Sequence, residues 1–303
     1  MRFEVLILGS SSATPIYGRH PTAQLINCNE QLFLVDCGEG TQMQLVKYGI
    51  RSNRINHIFI SHLHGDHYLG LIGLISSMHL VGRTTDLHLY APAALQEIIN
   101  MHFLHSETVL RFPLHMHATQ DDTNERLFEN EHLTIDSFPL DHRIACTGFR
   151  FDEKKRLPPI NREKTDAIGV PAAYLPLIKR GNDYTAPDGT VHRWQDLTLD
   201  PPVPRSYAYC SDTVKTDRYL PFIQHVDLLY HEATFLHEKR ERAAETFHTT
   251  ARQAGQIAVD VQAKKLLIGH YSARYKSLQP LLDESKAVFP NTDLAVEGQW
   301  YPI

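Results

Sequence analysis

The fold is decided by the stretch His57-Ile58-Phe59-Ile60-Ser61-His62-Leu63-His64-Gly65-Asp66-His67. An apolar run leads into a His-x-His-x-Asp-His pattern, which predicts a strand that ends where the polar side chains begin. Side chains alternate along extended backbone, so His62 and His64 lie on one side of it. Gly65 then turns the chain before Asp66 and His67. Because imidazole and carboxylate groups bind zinc and other borderline divalent ions, the stretch predicts a site for two such ions about 3.5–4 Å apart.

Three further candidate ligands also follow apolar runs. They are His142 after Leu133–Leu140, Asp212 after Tyr207–Cys210, and His270 after Leu266–Ile268. Taken alone, each is more typical of an ordinary loop residue than of a ligand. Because strand ends converge on one edge of a sheet, the three together are expected to complete the two-ion site.

Composition excludes several classes of protein. The chain has 303 residues, 42% of them hydrophobic, which is typical of a globular protein and not of a disordered, collagen-like or coiled-coil chain. Its longest apolar stretches, such as Leu69–Ile75, fall far short of the roughly 20 residues that cross a bilayer. Four widely spaced cysteines indicate neither a disulfide framework nor a cysteine zinc site, and the net charge of −5 argues against a generally basic surface. We therefore expect a soluble, cytoplasmic protein without a membrane partner.

Short apolar runs alternate with stretches of helical spacing, which predicts a layered α/β protein with helices outside sheets. We expect a single domain over residues 1–303. Residues 152–205 differ from the rest, because prolines and scattered charges replace the apolar periodicity. This segment is predicted to be an arm-like insertion, and two interpretations of its lysines and arginines stay open: a solvated loop, or an arm that contacts a polyanion.

The sequence resembles the metallo-β-lactamase superfamily and, within it, the short form of ribonuclease Z, a family of endonucleases that trim the 3′ trailer from precursor tRNA. The resemblance runs nearly end to end. It rests on these segments: Leu8-Gly9-Ser10-Ser11-Ser12-Ala13-Thr14-Pro15, Asp36-Cys37-Gly38-Glu39-Gly40-Thr41-Gln42, the histidine motif followed by Leu69-Gly70-Leu71, His231-Glu232-Ala233-Thr234, and His248-Thr249-Thr250-Ala251. It implies an αββα sandwich with a protruding arm insertion, and a homodimer that acts on precursor tRNA.

The resemblance also implies a ligand set for two zinc ions. One ion is bound by His62, His64 and His142; the other by Asp66, His67 and His270; Asp212 bridges them. Ligand type does not separate zinc from Mn²⁺ or Fe²⁺, so all three ions stay open. The glycines Gly38 and Gly40 are expected to form a tight turn beneath the centre, with Asp36 as partner of a ligand histidine.

Three residues are candidates for the chemistry of phosphodiester hydrolysis. Asp66 is expected to accept a proton from the attacking water, and His248 to supply one to the leaving 3′ oxygen. Glu232 is expected to orient His248. The alternatives are a His248 that merely precedes a helix and a Glu232 that makes only a structural hydrogen bond.

Substrate contacts are expected from the segment 168–181, where family members carry a Gly-Pro-rich arm. The Gly-Pro pair is replaced here, but Lys179 and Arg180 leave the end of this segment basic. Tyr174 either contacts RNA or packs internally.

Three functions follow as hypotheses. The first is a zinc-dependent endoribonuclease that removes the 3′ trailer and leaves a tRNA 3′-hydroxyl. The others are a small-substrate phosphodiesterase or hydrolase of the same fold, and a metal-bound RNA-binding protein without turnover.

Overall fold

Sixteen strands and nine α-helices lie within residues 2–303, the part of the chain that this computed structural model describes. The strands are β1 (Phe3–Gly9), β2 (Ala23–Cys28), β3 (Gln31–Val35), β4 (Ile55–Phe59), β5 (Leu87–Ala91), β6 (Leu114–Ala118), β7 (Glu125–Glu129), β8 (Leu133–Pro139), β9 (Thr147–Glu153), β10 (Tyr184–Thr185), β11 (Val191–His192), β12 (Ser206–Cys210), β13 (Leu228–Glu232), β14 (Lys265–Gly269), β15 (Thr292–Leu294) and β16 (Trp300–Pro302). The helices are α1 (Thr41–Lys47), α2 (Gly65–Tyr68), α3 (Leu71–Leu80), α4 (Ala94–His105), α5 (Arg162–Ala167), α6 (Leu175–Lys179), α7 (Arg240–Glu245), α8 (Ala251–Asp260) and α9 (Gln279–Lys286). None of these helices is long and apolar enough to span a membrane.

Two seven-stranded mixed sheets organise the larger part of the chain. The first has the order β16-β1-β2-β3-β4-β5-β6, and the second β15-β14-β13-β12-β9-β8-β7. Strands β3 to β6 run parallel, as do β12 to β15. Parallel neighbours need crossover connections, which places helices outside the sheets and loops at the carboxyl ends of the strands.

The two sheets face each other across an aromatic core. Phe59 of the first sheet packs edge-on against Phe149 of the second, with ring centroids 5.5 Å apart. On the outer faces, α3 and α4 bury leucines such as Leu74 and Leu95 against the first sheet, and α8 and α9 bury Ile257 and Leu281 against the second. The order of layers is therefore helix, sheet, sheet, helix, and the predicted αββα sandwich is confirmed.

Close glycine packing explains one departure from the predicted helices. The spacing of Tyr68–Val81 predicts one helix, but the chain forms α2 and α3 with a break at Leu69-Gly70. A Cβ on Gly70 would lie 2.2 Å from the carbonyl oxygen of Gly38, and one on Gly38 would lie 2.4 Å from that of Asp66. The backbone after β3 therefore passes directly beneath helix α2, which carries Asp66.

A second, smaller unit consists of residues 130–133 and 153–204. It contains α5, α6 and the β10–β11 hairpin, and Ile178, Tyr184 and Leu197 form a small buried cluster of its own. The segment without apolar periodicity thus has a modest core. That residues 152–205 act as an arm-like insertion in a single domain over residues 1–303 stays a prediction.

Candidate active site

Four predicted ligands come together as one group, called here the first cluster: His62, His64, His142 and Asp212. Their ligand atoms all lie within 4.8 Å of one another. Nδ1 of His64 is 3.1 Å from Nε2 of His62 and also 3.1 Å from Nε2 of His142. The residues come from loops after β4, β8 and β12, so both sheets contribute.

The remaining predicted ligands form a second cluster: Asp66, His67 and His270. Asp66 and His67 lie on α2, and His270 directly follows β14. Oδ2 of Asp66 lies 3.5 Å from Nε2 of His67 and 3.4 Å from Nε2 of His270. Its position is fixed by the backbone N–H of Ala13, which donates a hydrogen bond of 2.7 Å to the same oxygen.

Asp212 faces both clusters with different oxygens. Its Oδ2 lies 3.7 Å from Nε2 of His62, whereas its Oδ1 lies 3.4 Å from Nε2 of His67 and 3.1 Å from Nε2 of His270. A carboxylate with one oxygen toward each cluster has the arrangement of a bridging ligand.

The residues fit the metal ions that the fold family implies. Among the residues that the structure describes, Nε2 of His67 and Oδ1 of Asp212 are buried without a hydrogen-bond partner, although both lie in the middle of the site. Buried polar atoms are seldom left unpaired, and metal ions held by the two clusters would give both atoms a partner. Nitrogen and carboxylate donors that converge from seven side chains suit borderline divalent ions.

Four of the five candidate ligand histidines, all except His64, are also held through their second ring nitrogen, as is usual at metal sites. Nδ1 of His142 lies 3.0 Å from the carbonyl oxygen of Phe247, and Nδ1 of His270 lies 2.9 Å from Oγ1 of Thr234. Such contacts fix the ring planes before an ion arrives.

The most elaborate of these contacts involves Asp36, at the end of β3. Its Oδ2 lies 2.8 Å from Nδ1 of His67 and accepts hydrogen bonds from Ser61 and from Tyr209, the latter 2.6 Å long. The backbone of Asp36 has a φ of 55°, an uncommon conformation for a residue with a side chain. The buried carboxylate therefore orients His67, as expected from the sequence.

His248 and Glu232 form a pair at the edge of the clusters. Nδ1 of His248 lies 2.9 Å from Oε1 of Glu232, and 4.0 Å from Oδ2 of Asp212. Glu232 is fully buried at the end of β13, and it also accepts hydrogen bonds from the backbone of Thr213 and the hydroxyl of Thr234. Burial lowers the pKa of His248, but Glu232 outweighs this effect and raises it to about 9. The imidazole is therefore protonated at neutral pH.

Electrostatics favour the cation-binding forms of the two carboxylates and of the first cluster's histidines, whereas at His67 the carboxylates of Asp212, Asp66 and Asp36 outweigh burial and raise the pKa well above its ordinary value. Burial alone would raise the pKa of Asp66 and of Asp212, but the histidines of the second cluster outweigh it and hold both pKa values well below the ordinary range. Burial lowers the pKa of all three histidines in the first cluster. Ionised carboxylates and neutral imidazoles are the protonation states required of ligands.

Comparison with known proteins identifies the family. Ribonuclease Z of Bacteroides fragilis is 45% identical over 297 residues, which cover 98% of either chain. The chain belongs to the ribonuclease Z family. Human tRNase Z, short form, superposes with a TM-score of 0.72 at 27% identity and covers 98% of both chains. The predicted resemblance is confirmed.

Two further comparisons concern the fold and a part of the chain. The metallo-β-lactamase fold protein YhfI from Bacillus subtilis superposes with a TM-score of 0.71 at 20% identity over 100% of both chains, which supports the fold. A family model described as anti-Pycsar protein Apyc1 matches residues 3–153. This match ends before Asp212 and His270, which follow β12 and β14, so it covers only some of the candidate ligands of this ribonuclease Z family member.

The three predicted substrate-binding residues lie in the smaller unit. Tyr174 is 45% exposed and packs edge-on against Tyr184, with ring centroids 5.2 Å apart. Lys179 ends α6 and Arg180 follows it, both exposed, while Ile178 beside them is buried. The basic end is thus anchored by its neighbour and accessible to a ligand.

We expect replacement of Asp36 by Asn to weaken metal binding about 10–100-fold, the usual effect of losing a group that orients a ligand histidine. The amide keeps the shape of the carboxylate but removes the charge that faces His67. Competition with a chromophoric chelator measures the affinity. Tyr209→Phe removes only one hydrogen bond to Asp36, so a loss as large as that of Asp36→Asn would contradict this account.

Proposed function

We propose that this chain is a metal-dependent endoribonuclease that removes the 3′ trailer from precursor tRNA and leaves a 3′-hydroxyl on the tRNA. The observation that carries the proposal is the convergence of seven ligands from both sheets beside the His248–Glu232 pair. Membership of the ribonuclease Z family supplies the substrate class. An RNA-binding protein without turnover would not require a protonated histidine held beside two ligand clusters.

The residues that hold the ions follow from the two clusters. His62, His64 and His142 would hold one ion, Asp66, His67 and His270 would hold the other, and Asp212 would contribute an oxygen to each. We propose zinc for both positions, with Mn²⁺ or Fe²⁺ as the alternatives that the same donors accept. When bound, the two ions supply Lewis acidity that lowers the pKa of a water and balances negative charge on the phosphate.

The chain's own residues then handle the protons and their positions. Asp66, anchored by the N–H of Ala13, accepts the proton of the attacking water. His248 donates a proton to the leaving 3′ oxygen, and Glu232 is its positioning residue because their contact sets the orientation of the ring. Asp36 fixes the orientation of the His67 ring, so the side chain is already positioned before substrate binds.

Cleavage of a 3′-extended precursor tRNA by the purified protein tests this function. We expect cleavage next to the discriminator base, loss of activity with a chelator, and recovery when zinc is restored. A chromogenic phosphodiester is assayed in parallel. Hydrolysis of the small diester alone would assign the protein to the small-substrate phosphodiesterases, and retention of tRNA without turnover of either substrate would assign it to the RNA-binding proteins.

Substrate contacts outside the metal centre are proposed at Lys179, Arg180 and Tyr174. We expect Lys179→Ala combined with Arg180→Ala to lower kcat/KM for precursor tRNA about 10-fold or more, because each cation lost removes a phosphate contact. Hydrolysis of the small diester should not change. Raising the salt concentration should reduce the difference in kcat/KM for precursor tRNA between the variant and the parent.

The comparison substitution is Arg162→Ala combined with Lys164→Ala, which removes the same charge from another exposed part of the unit, on α5. If both double variants lose the same fraction of kcat/KM for precursor tRNA, the loss is a general effect of charge, and residues 179–180 do not form a specific RNA contact.

A homodimer and a cytoplasmic location complete the proposal. All four cysteines are buried free thiols, which suits a reducing compartment. Size-exclusion chromatography with light scattering measures the oligomeric state.

A further inference from the structure

A second group of histidines lies outside the candidate active site, on parallel strands at the β6 edge of the first sheet. His57 on β4 is the cross-strand partner of His88 on β5, which is in turn the partner of His115 on β6. Their rings stack, with centroids 5.0 Å apart for the first pair and 4.8 Å for the second. His117 stacks on Tyr90 in the next row, with centroids 4.5 Å apart. Four imidazoles therefore share one face of three adjacent strands.

An acidic side chain contacts the solvent-exposed end of this row of histidines. Asp86 directly precedes β5, and its Oδ2 lies 2.9 Å from Nε2 of His115. One ligand atom each from Asp86, His88 and His115 lies within 4.8 Å of the other two. We call these three residues the edge cluster.

The ring of His88 is fixed by its neighbours on both sides. Its Nδ1 lies 3.1 Å from Nε2 of His117, and it is stacked between His57 and His115. A histidine whose second nitrogen is held by another group is typical of metal sites, because that contact sets the ring plane.

The charges around the edge cluster also favour a cation. Burial and the neighbouring histidines lower the pKa of His88, and burial lowers the pKa of His117. Burial lowers the pKa of His57 to about 4. These three imidazoles therefore favour their neutral forms, and the carboxylate of Asp86 lies beside the cluster at the solvent-exposed end.

We propose that Asp86, His88 and His115 bind a divalent transition-metal ion of the zinc class, at a site separate from the two active-site clusters. His117 is a positioning residue that holds the His88 ring. Asp86 and His115 have side chains 56% and 43% exposed, so an ion has access from solvent and water can complete its coordination. The ion would join the start of β5 to the edge strand β6 and brace an edge that has no further strand to pair with.

Zinc content per chain tests the site, and the result does not depend on the proposed reaction. The protein and its variants are dialysed to equilibrium at one fixed free zinc concentration, and bound zinc is measured by mass spectrometry. We expect His88→Gln and His115→Gln each to bind one equivalent fewer than the parent. His105→Gln, an exposed histidine at the end of α4, should bind the parental amount.

Cleavage of precursor tRNA serves as the check that the variants are folded, and we expect it to be unchanged in all three. If the His88 and His115 variants bind as much zinc as the parent, the edge cluster is a hydrogen-bonded row without an ion and the proposal is overturned. If they lose zinc together with all activity while circular dichroism shows the parental fold, the edge cluster is not separate from the active site and the proposal fails as well.

Discussion

Replacing Asp212 by Asn is expected to lower precursor tRNA cleavage by about 10²–10³-fold, because the metal ions that this carboxylate would hold are the groups that stabilise negative charge on the phosphate. The substitution also removes a bridging negative charge, since Oδ1 and Oδ2 of Asp212 face different clusters. We therefore expect the bound metal to fall as well, and by more than one equivalent. Steady-state kinetics and metal analysis on the same preparation measure both effects.

Asp141→Asn is the matched control for this prediction. Asp141 is also a carboxylate on a loop of the site, next to His142 in sequence, but it pairs with Arg218 at 2.9 Å. Its loss should leave metal content intact and change activity little. An Asp212 variant that retains two ions and near-parental turnover would show that this residue is not a bridging ligand.

Replacing His248 by Gln is expected to lower kcat for precursor tRNA about 10²–10⁴-fold, the range of a lost general acid. Metal content should stay at the parental value, because His248 is proposed as a proton donor and not as a ligand. A diester with a p-nitrophenolate leaving group needs no proton, so its hydrolysis should fall much less. Comparing the two substrates therefore separates proton donation from damage to the centre.

Glu232→Gln extends this test to the positioning residue. It should lower kcat for precursor tRNA, but by less than His248→Gln does, because the imidazole remains and only its charged partner is lost. Equal losses on both substrates in the His248 variant, or a loss of bound metal, would contradict the assignment of a proton donor.

The positions of the candidate ligands were predictable because they depend on local rules. A period of two along the extended chain after β4 places His62 and His64, and polar residues that follow the strands of the second sheet meet at one edge, which brings in His142, Asp212 and His270. Helix ends were less predictable. The break between α2 and α3 depends on the contact of Gly70 with Gly38, which are distant in sequence.

Contacts that support the site were harder to foresee. Thr234 touches Glu232 and His270, and Tyr209 reaches Asp36 from the opposite sheet. Neither residue type signals such a role by itself, because hydroxyl groups are common in turns and in cores. The one available clue to Thr234 was its place in the His231-Glu232-Ala233-Thr234 segment. The sequence does not indicate the small core around Ile178, because its members are far apart along the chain.

The candidate ligands are divided between the two sheets, and this division has a consequence for folding. The first sheet and the segments that follow its strands carry His62, His64, Asp66 and His67. The other three candidate ligands, His142, Asp212 and His270, follow strands β8, β12 and β14 of the second sheet. A folding intermediate with only the first sheet formed lacks both the bridging carboxylate and the His248–Glu232 pair. We therefore expect hydrolytic activity only after the second sheet has packed against the first.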